Sequence, residues 1–378
     1  MVRPGSRPRR SSGVRRGVVA VTLALLAVTG LSLALAGSGG HSARKRASAR
    51  PATARTPGPA RPAPAPRSAG LATRSPAPGS AGKRHRRGRA RSSHSSFAVG
   101  LRVVRLVEPG RVIHLPGGRV KPRQLVTYVR YPAVGSPSGR DLARAPAARG
   151  PFPLVVFGHG FTVTPGIYAK LLRDWARAGY VVAAPVFPLE NANPPGGPSE
   201  SDLINQPEDM RFVISRMLAA SAGSTGPFRG LIVPRHVAVA GQSDGGETAL
   251  AVAYDRHFLD RRVGAAVILS GAKIPGVGGF DFPRGSPPLL ATQGTADTVN
   301  PPSFTQAFFQ AARRPKFLLR LFGAGHLEPY LGQEPQSGIV ARVTIAFLNR
   351  YLKPGTGSVG RIVALGSVNG ISSVRADE

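Results

Sequence analysis

The sequence predicts an α/β fold in which helices cover both faces of a mostly parallel β-sheet, with antiparallel strands at its N-terminal edge. From residue 97 onward, short apolar runs alternate with stretches of helical spacing, as in consecutive strand–helix units. Residues 153–157 are apolar throughout, which indicates a parallel strand buried on both faces. Residues 101–107 and 124–131 alternate between apolar and polar side chains, and this pattern predicts the two antiparallel edge strands.

The other elements follow from the same two periodicities. A helix is expected where apolar residues recur every three or four positions, and a strand where a short apolar run is bounded by Gly, Pro or polar residues. Pro207 suits a first helical turn, and Glu208 and Asp209 favour the positive end of the helix dipole, so one helix has a clear start. In order, we predict helix 168–178, strand 180–186, helix 206–220, strand 236–240, helix 245–254, strand 265–270, strand 288–293, helix 303–312, strand 317–322 and helix 339–352.

Charge and composition divide the 378 residues into four parts. The formal net charge is +33, but residues 1–96 hold 20 Lys and Arg and no acid, whereas the remainder holds 31 Lys and Arg against all 18 acids. We expect residues 1–36 to be a signal peptide or signal anchor and residues 37–96 to be a disordered basic linker rich in Pro, Ala, Arg and Ser. Residues 97–354 form the expected folded domain, and residues 355–378 are expected to be a C-terminal tail with at most a final strand.

The N-terminal segment is typical of an export signal. An uncharged apolar run of 19 residues, 18–36, ends in the A-x-A pattern Ala34-Leu35-Ala36. Six arginines precede this run: Arg3, Arg7, Arg9, Arg10, Arg15 and Arg16. Cleavage after Ala36 and retention as a membrane anchor both stay open, because the run is also close to the minimum length of a spanning helix. In either case we expect the folded domain to lie outside the cytoplasm, by the Sec or the twin-arginine route.

Composition excludes several classes of function. The chain has no cysteine, so disulfides, thiolate catalysis and cysteine metal sites are excluded. The basic residues of the linker are interleaved with Pro, Ala, Ser and Gly, and no zinc-ligand spacing or aromatic RNA-binding motif accompanies them. We therefore expect no specific nucleic-acid partner. An anionic membrane or a cell-wall polymer is the contact that the basic arm favours, and we expect a monomer.

A nucleophilic serine is predicted by the segment GQSDG at residues 241–245. A bare G-x-S-x-G is a weak signal, because Gly and Ser are common in turns. Here the segment directly follows a predicted strand and precedes a predicted helix, which is the context of a nucleophile elbow. Ser243 is therefore the candidate nucleophile, with an ordinary strand-to-helix turn as the alternative. Gln242 is expected to contact the substrate.

A second glycine-rich segment, FGHGF at residues 157–161, follows the buried strand. We expect the backbone N–H groups of Phe161 and Asp244 to form an oxyanion hole, and the Phe161 ring to contact the substrate. The alternative is a plain glycine-rich turn with a surface histidine. We expect His159 to order this loop and not to act as a base.

The remaining two motifs supply an acid and a base. GTAD at residues 294–297 follows a predicted strand, and Asp297 is the candidate for orienting a histidine, with a turn cap as the alternative reading and Asp281 as the reserve. GAGH at residues 323–326 follows the next strand, and His326 is the only histidine after Asp297. The chain order is therefore Ser, Asp, His.

Taken together, the four motifs resemble the α/β-hydrolase family over about Leu101 to Leu352. Within it the chain looks most like the group of chlorophyllases, platelet-activating-factor acetylhydrolases, dienelactone hydrolases and bacterial cutinases. It shares their H-G-F loop, their compact core and a G-T-A-D segment followed by G-H. Ser243 departs from the usual cysteine of dienelactone hydrolases, and the lack of cysteine departs from the disulfide of bacterial cutinases.

The resemblance implies an exported serine hydrolase that cleaves carboxylic esters through an acyl-enzyme, with no metal or organic cofactor. The substrate would be a small ester, a lipid or a polyester. The polar loop at 187–205 either shapes the substrate pocket or is a plain surface connection. Two alternatives stay open: an amidase or peptidase with the same triad, and a catalytically inactive protein that binds the cell envelope.

Overall fold

The computed structural model describes residues 96–272 and 281–378. The predicted signal segment and the predicted linker up to residue 95 lie outside these described residues. Within the two described ranges, no helix is both long enough and apolar enough to cross a membrane.

Ten strands of the described residues form one mixed sheet, in the order β10-β9-β8-β7-β6-β4-β5-β2-β1-β3. The six strands from β9 to β5 in this order run parallel. Strand β2 pairs antiparallel with both β5 and β1, β10 pairs antiparallel with β9, and the short β3 pairs parallel with β1. The predicted α/β class is confirmed. The strands are β1 Ala98–Leu115, β2 Arg119–Ala133, β3 Leu142–Ala143, β4 Phe152–Gly158, β5 Val181–Val186, β6 Ile232–Gln242, β7 Val263–Leu269, β8 Leu289–Gly294, β9 Lys316–Leu321 and β10 Ser372–Asp377.

Helices cover both faces of the sheet and bury a separate apolar core on each. Strand β4 shows why the central strands are apolar throughout: Leu154 and Val156 join one core, and Val155 and Phe157 join the other. Helices α2, α3 and α4 pack on the first core, and α1, α6 and α7 pack on the second. The helices are α1 Ala169–Arg177, α2 Gln206–Ala222, α3 Asp244–Tyr254, α4 Pro302–Ala311, α5 Glu328–Leu331, α6 Gln336–Leu352 and α7 Val359–Gly366.

The C-terminal segment is more ordered than a tail with a final strand. Helix α7 begins at a Ser358 side chain that accepts a hydrogen bond from the Arg361 N–H, and it buries Ile362 completely. Strand β10 then pairs antiparallel with β9, from Ser372 opposite Leu321 to Asp377 opposite Lys316. Residues 355–378 therefore extend the sheet and complete one core, which corrects the expectation of a tail.

The hairpin of β1 and β2 is longer than its alternating pattern predicted, and its far end reaches the loop at 187–205. Arg123 of β2 is 1% exposed and bonds with both Asp202 and Asp209. Arg111 of β1 adds a contact of 2.9 Å to Asp209. These ion pairs hold the start of α2, and the loop before it, against the sheet.

Candidate active site

Ser243 lies at the junction of β6 and α3 in a strained backbone conformation, with φ 56° and ψ −124°. The neighbouring glycines make this turn possible. A Cβ on Gly241 would lie 1.9 Å from the carbonyl oxygen of Gly245, and a Cβ on Gly245 would lie 2.1 Å from that of Gly158. The tight turn lifts the serine above the carboxyl end of the strand, as in a nucleophile elbow.

His326 and Asp297 form a hydrogen-bonded pair, with 2.9 Å between Nδ1 of the histidine and Oδ2 of the aspartate. The other oxygen of Asp297 accepts the N–H groups of Val299 and Asn300 at 3.0 and 2.9 Å. Burial would raise the pKa of Asp297, but the hydrogen bond and charge of His326 outweigh burial and hold it below its ordinary value. The carboxylate is thus ionised at neutral pH and places the ring proton of His326 on Nδ1.

The reserve candidate lies elsewhere. The carboxylate of Asp281 accepts the backbone N–H of Arg256 at 2.8 Å, at the end of α3. Of the two acids that sequence reasoning considered, Asp297 is therefore the one that the fold brings to His326.

Gln242 has contacts that the sequence did not predict. Its side chain is fully buried, and its Nε2 lies 3.1 Å from both Nε2 and the backbone oxygen of His326. Its Oε1 accepts the Tyr168 hydroxyl at 2.7 Å. The expected contact of Gln242 with substrate stays a prediction. No feature of the sequence pointed to Tyr168 as its partner.

The nucleophile and the base face different partners in this structure. The Ser243 hydroxyl lies 3.5 Å from Oδ1 of Asp244, while Nε2 of His326 accepts from Gln242. Among the hydrogen bonds of the described residues, none joins Ser243 to His326. Catalytic hydrogen bonds are often long in ligand-free enzymes and tighten only with substrate bound, so this geometry does not remove either residue as a candidate.

The loop at 157–161 is ordered by His159, as expected. The ring is fully buried, its Nδ1 lies 2.7 Å from the Gly160 oxygen, and its Nε2 accepts the Phe187 N–H at 3.0 Å. Burial lowers the pKa of His159 to about 4, so the ring is neutral. Among the described residues, no hydrogen bond joins the N–H of Phe161 or that of Asp244 to another residue, and the Asp244 N–H interacts with its own carboxyl group. The expected oxyanion hole stays a prediction.

Two buried carboxyl groups complete the site. Asp244 is 5% exposed, and Glu190 of the loop at 187–205 is fully buried. Burial raises the pKa of Asp244 to about 7, helped by the charge of Glu200 and opposed by His326 and Ser243. Burial and the charge of Asp244 raise the pKa of Glu190 to about 9.

The long polar loop at 187–205 thus reaches the site. The Glu190 backbone oxygen accepts the Thr162 N–H at 2.8 Å, directly after the oxyanion loop. Sequence reasoning left the role of this loop open and missed Glu190. The available signal was an acid shortly after a buried strand, at the edge of the sheet where the other site residues lie.

The sheet order, the elbow and the His–Asp pair at adjacent strand ends define an α/β-hydrolase fold. Comparison with known proteins agrees. A chlorophyllase family model matches residues 129–271, which include the loop at 157–161 and the elbow but end before Asp297. The expected resemblance to esterases of the α/β-hydrolase type, the chlorophyllases in particular, is confirmed.

Two particular proteins are similar to this chain. Chlorophyllase-1 of Arabidopsis thaliana is 33% identical over 112 residues, which cover 29% of this chain and 31% of that protein. The match thus spans about a third of that relative. A ferulic acid esterase from Streptomyces cinnamoneus matches in structure with a TM-score of 0.54 and 22% identity, covering 72% of this chain and 94% of that one. The structural match supports the α/β-hydrolase fold.

Proposed function

We propose that this protein is an exported serine esterase, with Ser243 as nucleophile, His326 as general base and Asp297 as the residue that orients the base. The observation that carries the proposal is the 2.9 Å contact between Asp297 and Nδ1 of His326, at the strand ends beside a strained serine elbow. An ionised, buried carboxylate on one ring nitrogen leaves the other nitrogen as a proton acceptor, which is what a hydroxyl nucleophile requires.

The proposed reaction is acyl transfer in two steps. His326 takes the proton of Ser243 while Oγ attacks the ester carbonyl carbon, and the N–H groups of Phe161 and Asp244 bind the oxyanion that forms. The alcohol leaves with the proton held by His326. Water then attacks the acyl-enzyme with His326 again as base, which releases the acid and restores Ser243.

The contact between Gln242 and His326 adds one step before chemistry. The Nε2 lone pair that must receive the serine proton accepts from the Gln242 amide at 3.1 Å. His326 therefore has to exchange the amide for the Ser243 hydroxyl when an ester binds. The second contact of the same amide, to the His326 backbone oxygen, holds the loop of the histidine in place during this exchange.

The test is labelling of the purified protein with a fluorophosphonate, followed by mapping of the modified peptide. We expect one adduct, on Ser243, that is lost in Ser243→Ala. Ser303→Ala is the control, because Ser303 is an exposed serine of α4. An adduct elsewhere, or none on a folded protein, would overturn the assignment. Faster cleavage of an anilide than of the matched ester would instead favour an amidase.

Export is the part of the proposal that residues 1–36 support, through six arginines followed by an uncharged apolar run. Expression of the whole chain and separation of secreted, membrane and cytoplasmic fractions test it. Protein found only in the cytoplasmic fraction would overturn it.

A further inference from the structure

Three acids near the nucleophile make no ion pair, although the charge of His326 acts on one of them, Asp244. Among the described residues, no Lys, Arg or His lies within ion-pair distance of Glu190, Glu200 or Asp244. The buried acids Asp202 and Asp209 differ from these three, because both form ion pairs with Arg123.

Two of these acids also have an oxygen that no described residue bonds. Oδ2 of Asp244 and Oε1 of Glu190 are both buried without a hydrogen-bond donor. The other oxygen of each is in use, since Oδ1 of Asp244 lies 3.5 Å from the Ser243 hydroxyl and Oε2 of Glu190 accepts the Gln206 amide. Buried carboxyl oxygens without donors are costly, and natural proteins keep them mainly where a ligand completes the site.

We propose that the site selects esters that carry a cationic nitrogen close to the scissile carbonyl, and that Asp244 and Glu190 bind this nitrogen. The proposal rests on the esterase function proposed above and names its substrate class. Because one carboxyl oxygen of Asp244 already contacts the nucleophile, a group bound to the other oxygen lies only a few bonds from the reacting carbon. An ammonium group on the alcohol part, as in an amino-alcohol ester, has this spacing.

We expect these acids to select a ligand by its positive charge and not by hydrogen bonding alone. The negative charge of Glu200 raises the pKa of Asp244. The charges of Asp244, Asp202 and Glu200 raise the pKa of Glu190. A cation between them relieves this repulsion, whereas a neutral donor leaves it in place. The raised pKa values of both acids are the expected consequence of burying carboxyls that lack such a cation.

Asp244 could act in a second way, which the test has to separate. Asp244 also lies close enough to His326 for the two charges to interact, so it can stabilise the imidazolium formed during catalysis. That effect changes kcat for cationic and neutral esters alike. Selection of a cation changes the ratio between them.

The experiment compares acetylcholine with its neutral isostere, 3,3-dimethylbutyl acetate, at pH 8. We expect the wild-type ratio of kcat/KM to favour the cationic ester by about tenfold or more, because close charge pairs discriminate on this scale. Asp244→Asn should bring the ratio towards one. Glu190→Gln should lower the ratio less, because burial raises the pKa of Glu190 to about 9 and most of this carboxyl is protonated at pH 8 when no cation is bound. Glu208→Gln, which removes a carboxylate from the exposed side of α2, should leave the ratio unchanged.

A binding measurement keeps the proposal testable without turnover. Choline should raise the melting temperature of the wild-type protein, and 3,3-dimethylbutanol at the same concentration should raise it less. The difference should vanish in Asp244→Asn. Equal effects of the two alcohols, or a wild-type ester ratio of one, would overturn the cation proposal while hydrolysis of the neutral ester would still support the esterase. Failure to cleave either ester, with choline still stabilising, would overturn the esterase alone.

Discussion

Replacing Arg123 by Met tests how the loop beside the active site is held. The guanidinium is 1% exposed and makes four hydrogen bonds: 2.6 and 2.5 Å to Asp209, and 2.9 Å twice to Asp202. Met fills a similar volume but leaves the buried Asp202 without an ion-pair partner among the described residues and leaves Asp209 with Arg111 alone. Removing one member of a buried ion pair typically destabilises a folded protein by about 3–5 kcal/mol. We expect Arg123→Met to lower the free energy of unfolding in urea at pH 8 by about this amount.

The matched control is Arg375→Met. Arg375 makes the same kind of paired contact, 2.9 Å twice, to Asp377, but its side chain is 58% exposed. Solvent screens such a pair, so we expect a much smaller loss in the free energy of unfolding than for Arg123→Met. Adding Asp202→Asn and Asp209→Asn to Arg123→Met should recover most of the loss, because the uncompensated charges are then gone.

Equal stability of Arg123→Met and Arg375→Met would refute the reasoning. The pH dependence gives a second check. Burial raises the pKa of Asp209 to about 6 even with Arg123 beside it, so without the arginine this carboxyl should be protonated at still higher pH. The loss measured for Arg123→Met should therefore be smaller at pH 5 than at pH 8.

Three further outcomes are expected. Asp297→Asn should lower kcat on p-nitrophenyl acetate by about 10⁴-fold, as for other triads, and a change below tenfold would remove Asp297 from its proposed role. The neutral His159 ring stabilises the fold fully above its ordinary pKa of 6.5, and this contribution is lost as the pH falls through about 4. Between pH 7 and pH 5 we therefore expect the free energy of unfolding of wild type, measured in urea, to fall by about 2 kcal/mol relative to that of His159→Gln. A difference between the two proteins that does not change with pH would contradict this. Ile362→Ala should lower the free energy of unfolding by about 2–5 kcal/mol, because this side chain is fully buried. Val359→Ala, at a less buried position of α7, should lower it clearly less. Equally small losses for the two variants would mean that α7 is not part of the core.

Much of the fold was predictable from local pattern. Strand β4 has the continuous apolar run of a strand with a core on each face, and α2 has its start marked by Pro207 and two acids. The C-terminal segment was not predictable in this way. Helix α7 and strand β10 are short, and their pattern becomes meaningful only because β9 offers a free edge and α6 offers an apolar face.

By itself the sequence determined the spacing and chemistry of the elbow, the glycines that a close turn requires, and the order of Ser243, Asp297 and His326. These features depend on residues that are near one another in the chain or at the ends of recognisable strands. Only the tertiary structure decided that Asp297 and not Asp281 contacts the histidine, that Gln242 bonds to His326, and that the Glu190 backbone contacts Thr162. Those contacts join residues tens of positions apart, and their geometry depends on loop paths that no local periodicity encodes.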